Sequence, residues 1–204
     1  MTERDTYRTI EKPSEEILYK EKHSKFFGYA FPVTSEDEVK AHIEALRKQH
    51  RGAVHFCYAW QMGTEKTSSR ANDDGEPTNS AGMPILGQIQ HFKVTNVLVV
   101  IVRFFGGIKL GVGGLMSAYK IAAQMALDAS EIVEKTIETE FVVHFGYPDM
   151  NKVMRIVRER NLSILSQEMG MDCKMVLSSR RRDAAKVEEA FEPFYEVKLE
   201  RLAK

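Results

Sequence analysis

The segment 97–118 constrains the fold most, because an unbroken apolar run leads directly into five glycines and then into a helical pattern. Residues 97–102 are all β-branched or leucine, which is typical of a strand that is buried on both faces. We therefore predict that this strand is the central strand of its domain. A helix is predicted from Leu115 to about Ser130, since apolar residues recur there at helical spacing.

The glycine-rich loop between this strand and this helix predicts an anion site. Free backbone N–H groups and a helix N-terminus coincide there, and two flanking cations add formal positive charge. The residues predicted to bind an anion or phosphate are Arg103, Gly106, Gly107, Lys109, Gly113 and Gly114. The alternative interpretation is that the glycines only permit a tight turn and close packing. The spacing fits neither common phosphate-loop consensus, so no nucleotide motif is assigned.

Composition excludes several classes of protein. The 29 basic and 29 acidic residues cancel, so any contact with nucleic acid must come from a local patch. Cys57 and Cys173 support neither a disulfide framework nor a four-ligand zinc site, and a reducing, cytoplasmic setting is expected. The N-terminus is charged where a signal peptide is apolar, and no apolar run is long enough to span a bilayer, so no membrane association is expected.

The polar stretch 63–87 predicts a long loop with an acidic centre at Asp73, Asp74 and Glu76. One interpretation is a divalent-metal or general-base site, in which Mg²⁺ joins these carboxylates to a phosphate on the glycine loop. We favour a different interpretation, an Asx-type turn in which Asp73 and Asp74 accept loop N–H groups and Arg70 is a local ion-pair partner. The metal therefore stays open, and no cofactor is expected.

Residues 54–62 alternate and predict a strand, with Val54 on the large apolar face and His55 and Cys57 on a smaller, more polar face. A Cys/His pair is what nucleophilic catalysis uses. However, no third, orienting group is identifiable, and a buried cysteine is usually a small apolar filler. No catalytic residue is therefore assigned.

The chain changes character after about residue 136. Strand and helix patterns follow in the order β-α-β-β-α-β over residues 137–204, which is the ferredoxin-like split motif. We predict a separate small domain here, joined to an N-terminal domain of residues 1–132 by a short linker at 131–136. Arg180, Arg181 and Arg182 are predicted to contact RNA phosphate, or alternatively to belong to a solvated surface of mixed charge.

Two long segments resemble the signature segments of the IMPACT/YigZ family of conserved, poorly characterised proteins: SRANDDGEPTNSAGMPIL at 69–86 and VRFFGGIKLGVGGLMSAY at 102–119. The segments HSKFFGYAFPV at 23–33 and HFCYAW at 55–60 are similar to further family segments. The resemblance implies an α+β N-terminal domain similar to the second domain of ribosomal protein S5. It also implies a ferredoxin-like C-terminal domain similar to domain V of elongation factor G, and a link to the regulation of translation. It implies no catalytic residues.

Three functions are compatible with these residues. We favour a non-enzymatic protein that binds RNA or the ribosome through backbone phosphate, without sequence-specific binding of DNA. The alternative is a magnesium-dependent enzyme that acts on a phosphorylated small molecule or nucleotide. The third is a protein-interaction adaptor, for which no exposed apolar patch is identifiable in the sequence. The oligomeric state is not predicted.

Overall fold

The computed structural model describes residues 5–202, which form two compact units. The N-terminal unit spans Tyr7–Lys135, and the C-terminal unit contains Asp5, Thr6 and residues 136–202. Each unit has its own hydrophobic core. Both units combine helices with antiparallel strands, which confirms the predicted α+β class.

One antiparallel sheet organises the N-terminal unit. The elements, in chain order, are β1 (Thr6–Ile10), β2 (Ile17–Glu21), β3 (Ser24–Pro32), α1 (Glu36–Gln49), β4 (His55–Met62), β5 (Ser68–Asn72), α2 (Gly82–Phe92), β6 (Val97–Phe104), α3 (Gly111–Asp128) and β7 (Ile132–Thr136). The sheet has the strand order β2-β3-β6-β4-β5, while β1 and β7 form a separate two-stranded sheet. The glycine-rich segment therefore follows the middle strand, as predicted.

Strand β6 is buried on both faces because helices cover both sides of the sheet. Its side chains at 97–102 are 0 % exposed. Val99 packs in the core beneath α2 and α3, and its neighbour Val100 packs in the core beneath α1. Strand β4 alternates in the same way, with Cys57 toward α2 and α3 and Trp60 toward α1. The small face of β4 thus lies against packed helices.

The C-terminal unit has the topology that the sequence predicted. Its elements are β8 (Glu138–Gly146), α4 (Met150–Glu159), β9 (Ser163–Glu168), β10 (Asp172–Arg180), α5 (Ala184–Phe191) and β11 (Lys198–Arg201). The strand order β11-β8-β10-β9, antiparallel throughout, confirms the split β-α-β-β-α-β motif. No helix within residues 5–202 is both long enough and apolar enough to cross a membrane.

Several element boundaries differ from the sequence predictions. The stretch 63–87 is not one long loop, because β5 lies within it; this edge strand is mostly exposed and lacks apolar alternation. The predicted linker at 131–136 is strand β7. Helix α3 begins at Gly111 instead of Leu115, since its first turn faces solvent and carries no apolar repeat. Val54 lies just before β4 and is 56 % exposed instead of buried.

Candidate nucleic-acid interface

A buried ion pair joins the acidic loop to the strand that precedes the glycine loop. The Arg103 guanidinium lies 2.5 Å from Glu76 Oε1, and the two side chains are only 5 % and 4 % exposed. Tyr119, on α3, donates its hydroxyl hydrogen to the same carboxylate oxygen at 2.8 Å. A buried charge without its partner is strongly unfavourable, so this contact fixes residues 73–77 against β6 and α3.

The ion pair corrects the expectation that Arg103 presents its charge to a phosphate on the loop. Arg103 is 4 % exposed as a residue, and its guanidinium lies over the Phe26 and Phe105 rings, at 5.5 and 5.6 Å from their centroids. Its charge is balanced by Glu76. Of the two predicted cations, Lys109 is the one at the surface.

Asp73 organises the turn that leads into α2. Its Oδ1 accepts the N–H groups of Ala81 and Gly82 at 3.0 and 2.8 Å, and its Oδ2 accepts the N–H of Asn79 at 2.8 Å. A carboxylate at this position satisfies backbone donors that the start of the helix leaves free. The turn interpretation is therefore confirmed for Asp73.

Asp74 has different partners from those predicted. Its carboxylate accepts the N–H of Phe56 at 2.7 Å and pairs with Arg47 of α1 at 2.9 and 3.0 Å. Arg70, the predicted partner, instead lies 3.4 Å from Glu36, because β5 holds it in the sheet. All three acidic side chains of the loop are thus bound by protein groups. Nowhere in residues 5–202 do three or more His, Cys, Asp or Glu side chains form a group that could hold a metal ion.

Cys57 belongs to the same buried polar cluster. Its thiol lies 3.0 Å from the carbonyl oxygen of Asp73 and 3.3 Å from the Tyr119 hydroxyl. Burial raises the pKa of the Cys57 thiol well above its usual range, so the thiol stays protonated at neutral pH. A protonated thiol is a poor nucleophile. His55 lies on the same strand, with Nδ1 2.8 Å from the carbonyl oxygen of Asp74. Both side chains of the Cys/His pair thus contact backbone carbonyl groups of the acidic loop.

The glycines of the loop serve different purposes. A Cβ at Gly106 would lie 2.1 Å from the carbonyl carbon of His23, so close packing requires glycine there. Gly107 and Gly111 have positive φ angles of 86° and 72°, which glycine adopts without strain. At Gly113 a Cβ would meet nothing within 4 Å. The turn-and-packing interpretation explains the first three, whereas Gly113 leaves backbone open to an approaching ligand.

The first turn of α3 is an open helix N-terminus. Leu110 at the N-cap provides no side-chain acceptor, so N–H groups of this turn are free to bind an anion. The exposed Lys109 precedes it directly. Ile108, Val112 and Met116 are 45 %, 54 % and 45 % exposed. The loop thus presents backbone donors, a cation and exposed apolar side chains, of which the apolar side chains are not predicted from the sequence.

An acid-free face is a further feature of the site, and it is not among the features predicted from the sequence. Residues 77–127, which include α2 and all of α3 except its last residue, Asp128, contain no Asp or Glu. They contain four basic residues, Lys93, Arg103, Lys109 and Lys120, of which only Arg103 is buried in an ion pair. Helices α2 and α3 pack side by side, and a groove of about 500 Å³ lies between them. The groove is lined by Pro84, Gly87, Gln88, His91, Lys120 and Gln124. The zero net charge of the chain therefore conceals a positive local surface.

The arginines of the C-terminal unit are partly neutralised within that unit. Arg180 and Arg182 lie 3.1 and 3.5 Å from the Asp5 carboxylate, and Arg181 also interacts with protein groups. Arg182 lies a further 3.7 Å from Asp183. Contact of these arginines with RNA stays a prediction.

The comparison with known families identifies the segment that carries this site. The Impact N-terminal domain matches residues 22–127, which include the acidic loop, the glycine loop and the groove. The IMPACT family member YvyE of Bacillus subtilis is 33 % identical over 154 residues, which cover 76 % of this chain and 70 % of YvyE. The chain belongs to the IMPACT family. The segment that the family model matches therefore contains the buried ion pair of Arg103 and Glu76, the glycine loop and the groove.

Solved structures give a further comparison for this IMPACT family chain. A crystal structure of a hypothetical protein is 25 % identical and covers 98 % of each chain, with a TM-score of 0.72. The structure of the two-domain translational regulator Yih1 is 31 % identical and covers 58 % of this chain and 46 % of Yih1, with a TM-score of 0.38. The first likeness extends over both units.

Proposed function

We propose that this chain is a non-enzymatic protein that binds RNA or the ribosome and thereby regulates translation. The acid-free face of α2, α3 and the glycine loop carries this proposal. Binding of backbone phosphate needs a local positive surface with open donors, and it does not need a positive total charge. Family membership supports the regulatory part, since the relative Yih1 is described as a translational regulator.

The geometry of this face suits a phosphate backbone at two places. At the glycine loop, Lys109 adjoins the free N–H groups of the first turn of α3. In the groove, Lys120 and His91 stand beside Gly87, where a Cβ would meet nothing within 4 Å. The missing side chain at Gly87 lets a nucleic-acid backbone approach α2 closely. Both places lie on the α2 and α3 side of the sheet.

The test is co-sedimentation of the full chain with ribosomes and, separately, with ribosomal RNA. The double variant Lys109→Ala/Lys120→Ala removes the exposed cation of the glycine loop and the lysine of the groove. The matched control is Lys40→Ala on α1, which packs on the other side of the sheet and pairs with Asp37 at 3.0 Å. We expect the double variant to lose most of its binding at moderate salt, while the control binds like wild type. Equal binding by all three proteins contradicts the proposal.

The exposed apolar side chains of the glycine loop favour a second candidate, a protein-interaction surface. Phe105 is 48 % exposed, and Ile108, Val112 and Met116 are exposed to a similar degree. Contiguous exposed apolar groups often mark protein interfaces. Nuclease treatment separates the two candidates: a complex that survives complete digestion of RNA and depends on Val112 indicates a protein partner.

A further inference from the structure

A cavity of about 300 Å³ lies beside the first glycines of the loop. It is lined by His23, Lys25, Phe27, His50, Phe104 and Phe105. The cavity lies where β3 begins and β6 ends, since Lys25 and Phe104 are paired across these strands. Its volume is at the lower end of the range of small-molecule sites, which suggests one small ligand.

The walls of the cavity are mainly aromatic. The Phe27 ring lies 5.7 Å from the Phe104 ring and 5.1 Å from the His50 ring, measured between centroids, so these three rings form a packed cluster. Phe105 is 48 % exposed and forms the more open wall. Aromatic faces of this kind stack on planar, conjugated ligands.

The side chains that line the cavity carry positive charge or none, while the Glu16 carboxylate, which is outside the lining, lies 3.8 Å from His50 Nε2. Lys25 and His23 are exposed, and none of the six residues that line the cavity, all within the described part of the chain, is Asp or Glu. Burial lowers the pKa of His50, whose Nε2 contacts the Tyr29 hydroxyl, so this imidazole is neutral at neutral pH. Lys25 is therefore the permanent cation. A ligand that matches both features is planar and aromatic, and carries an anionic group.

We propose that this cavity binds one nucleotide, with its base against Phe104 and Phe105 and its phosphate on Lys25. A phenyl-lined pocket alone would also accept an apolar side chain, but the cation and the absence of lining carboxylates favour a phosphate. The chain runs directly from Phe105 into Gly106 and the open loop, so an RNA backbone on the loop can place one base here. For a base of a bound RNA, the inference rests on the proposed function. For a free nucleotide in the same cavity, the inference does not depend on the proposed function.

The test compares three small ligands and one RNA on the full chain. Calorimetry measures binding of adenosine monophosphate, adenosine and ribose 5-phosphate, and fluorescence anisotropy measures binding of a labelled single-stranded hexanucleotide. Phe105→Ala removes the exposed wall, Phe105→Tyr keeps a ring, and Tyr147→Ala, at a residue that is 64 % exposed in the other unit, is the control.

We expect Phe105→Ala to weaken hexanucleotide and adenosine monophosphate binding roughly 5- to 150-fold, because one stacked base is lost. Its salt dependence should match wild type, since no phosphate contact is removed. Phe105→Tyr and Tyr147→Ala should bind like wild type. Lys25→Ala should weaken the binding of adenosine monophosphate but not the binding of adenosine.

The outcomes separate the cavity from the proposed function. If wild type binds RNA and Phe105→Ala binds it equally well, the cavity inference is overturned and the proposed function stands. If no RNA binds but the monophosphate binds in a Phe105-dependent manner, the cavity inference holds for free nucleotides and the proposed function fails. Ribose 5-phosphate binding as tightly as the monophosphate overturns the base contact.

Discussion

Replacement of Glu76 by alanine should destabilise the N-terminal unit more than any change to an exposed ion pair of that unit. The variant leaves the Arg103 guanidinium without its carboxylate at a position where the side chain is 5 % exposed, and it also removes the acceptor of the Tyr119 hydroxyl. Breaking a buried pair in this way costs about 3–5 kcal/mol of the free energy of unfolding. Glu36→Ala, which breaks the half-exposed pair with Arg70, should cost at most about 1 kcal/mol.

Urea unfolding followed by tryptophan fluorescence measures this loss in the N-terminal unit specifically. Trp60 is the single tryptophan of the chain and is 6 % exposed in β4, so its emission reports on the sheet that contains β6. Arg103→Met and the double variant Glu76→Ala/Arg103→Met complete a double-mutant cycle. The free energy of unfolding of the double variant should fall by much less than the sum of the two single-variant losses, because the double variant contains no unpaired buried charge. Single losses below about 1 kcal/mol, or losses that add, would refute the role assigned to this pair.

Three further predictions follow from the same region. Gly106→Ala should cost about 2 kcal/mol or more in urea unfolding, since its Cβ would meet the His23 backbone at 2.1 Å, whereas Gly113→Ala should be neutral or slightly stabilising. Cys57 should react with a thiol reagent at pH 8 only after unfolding, because burial raises its pKa. For the same reason, its contribution to stability should be complete below the ordinary pKa of 9.0 and be lost as pH rises above it, and Cys57→Ala should remove this part of the pH dependence. Lys109→Ala should leave the urea midpoint unchanged, because this side chain is exposed.

The main features of the fold are predictable because they depend on local patterns. The continuous apolar run at 97–102 identifies a strand covered on both faces, and the order of patterns after residue 136 identifies the C-terminal topology. The turn at Asp73 is predictable because Asx residues bind nearby backbone N–H groups. Strands β1, β5 and β7 are not predictable from the sequence, since they lie at sheet edges and carry little apolar alternation.

The candidate site is only partly predictable. The glycine loop and Lys109 follow from composition, but the pairing of Glu76 with Arg103 joins residues that are 27 positions apart, and no periodicity encodes it. The sequence pattern therefore predicts Arg103 as a cation of the anion site, and it does not predict the buried pair with Glu76. The helical spacing of apolar residues predicts that one face of α3 is buried, but the contact of the Tyr119 hydroxyl with Glu76 depends on the same tertiary arrangement. The absence of Asp and Glu from residues 77–127 is a signal in the sequence itself, but the total charge conceals it.

The salt dependence of RNA binding tests the central claim most directly. The equilibrium constant for a single-stranded RNA is measured at a series of salt concentrations for wild type and for Lys109→Ala/Lys120→Ala. If both lysines contact phosphate, the slope of log K against log salt should be smaller in the double variant by about 1.4, or roughly 0.7 for each contact. Identical slopes, or no RNA binding by wild type, would contradict the assignment of the α2 and α3 face to RNA.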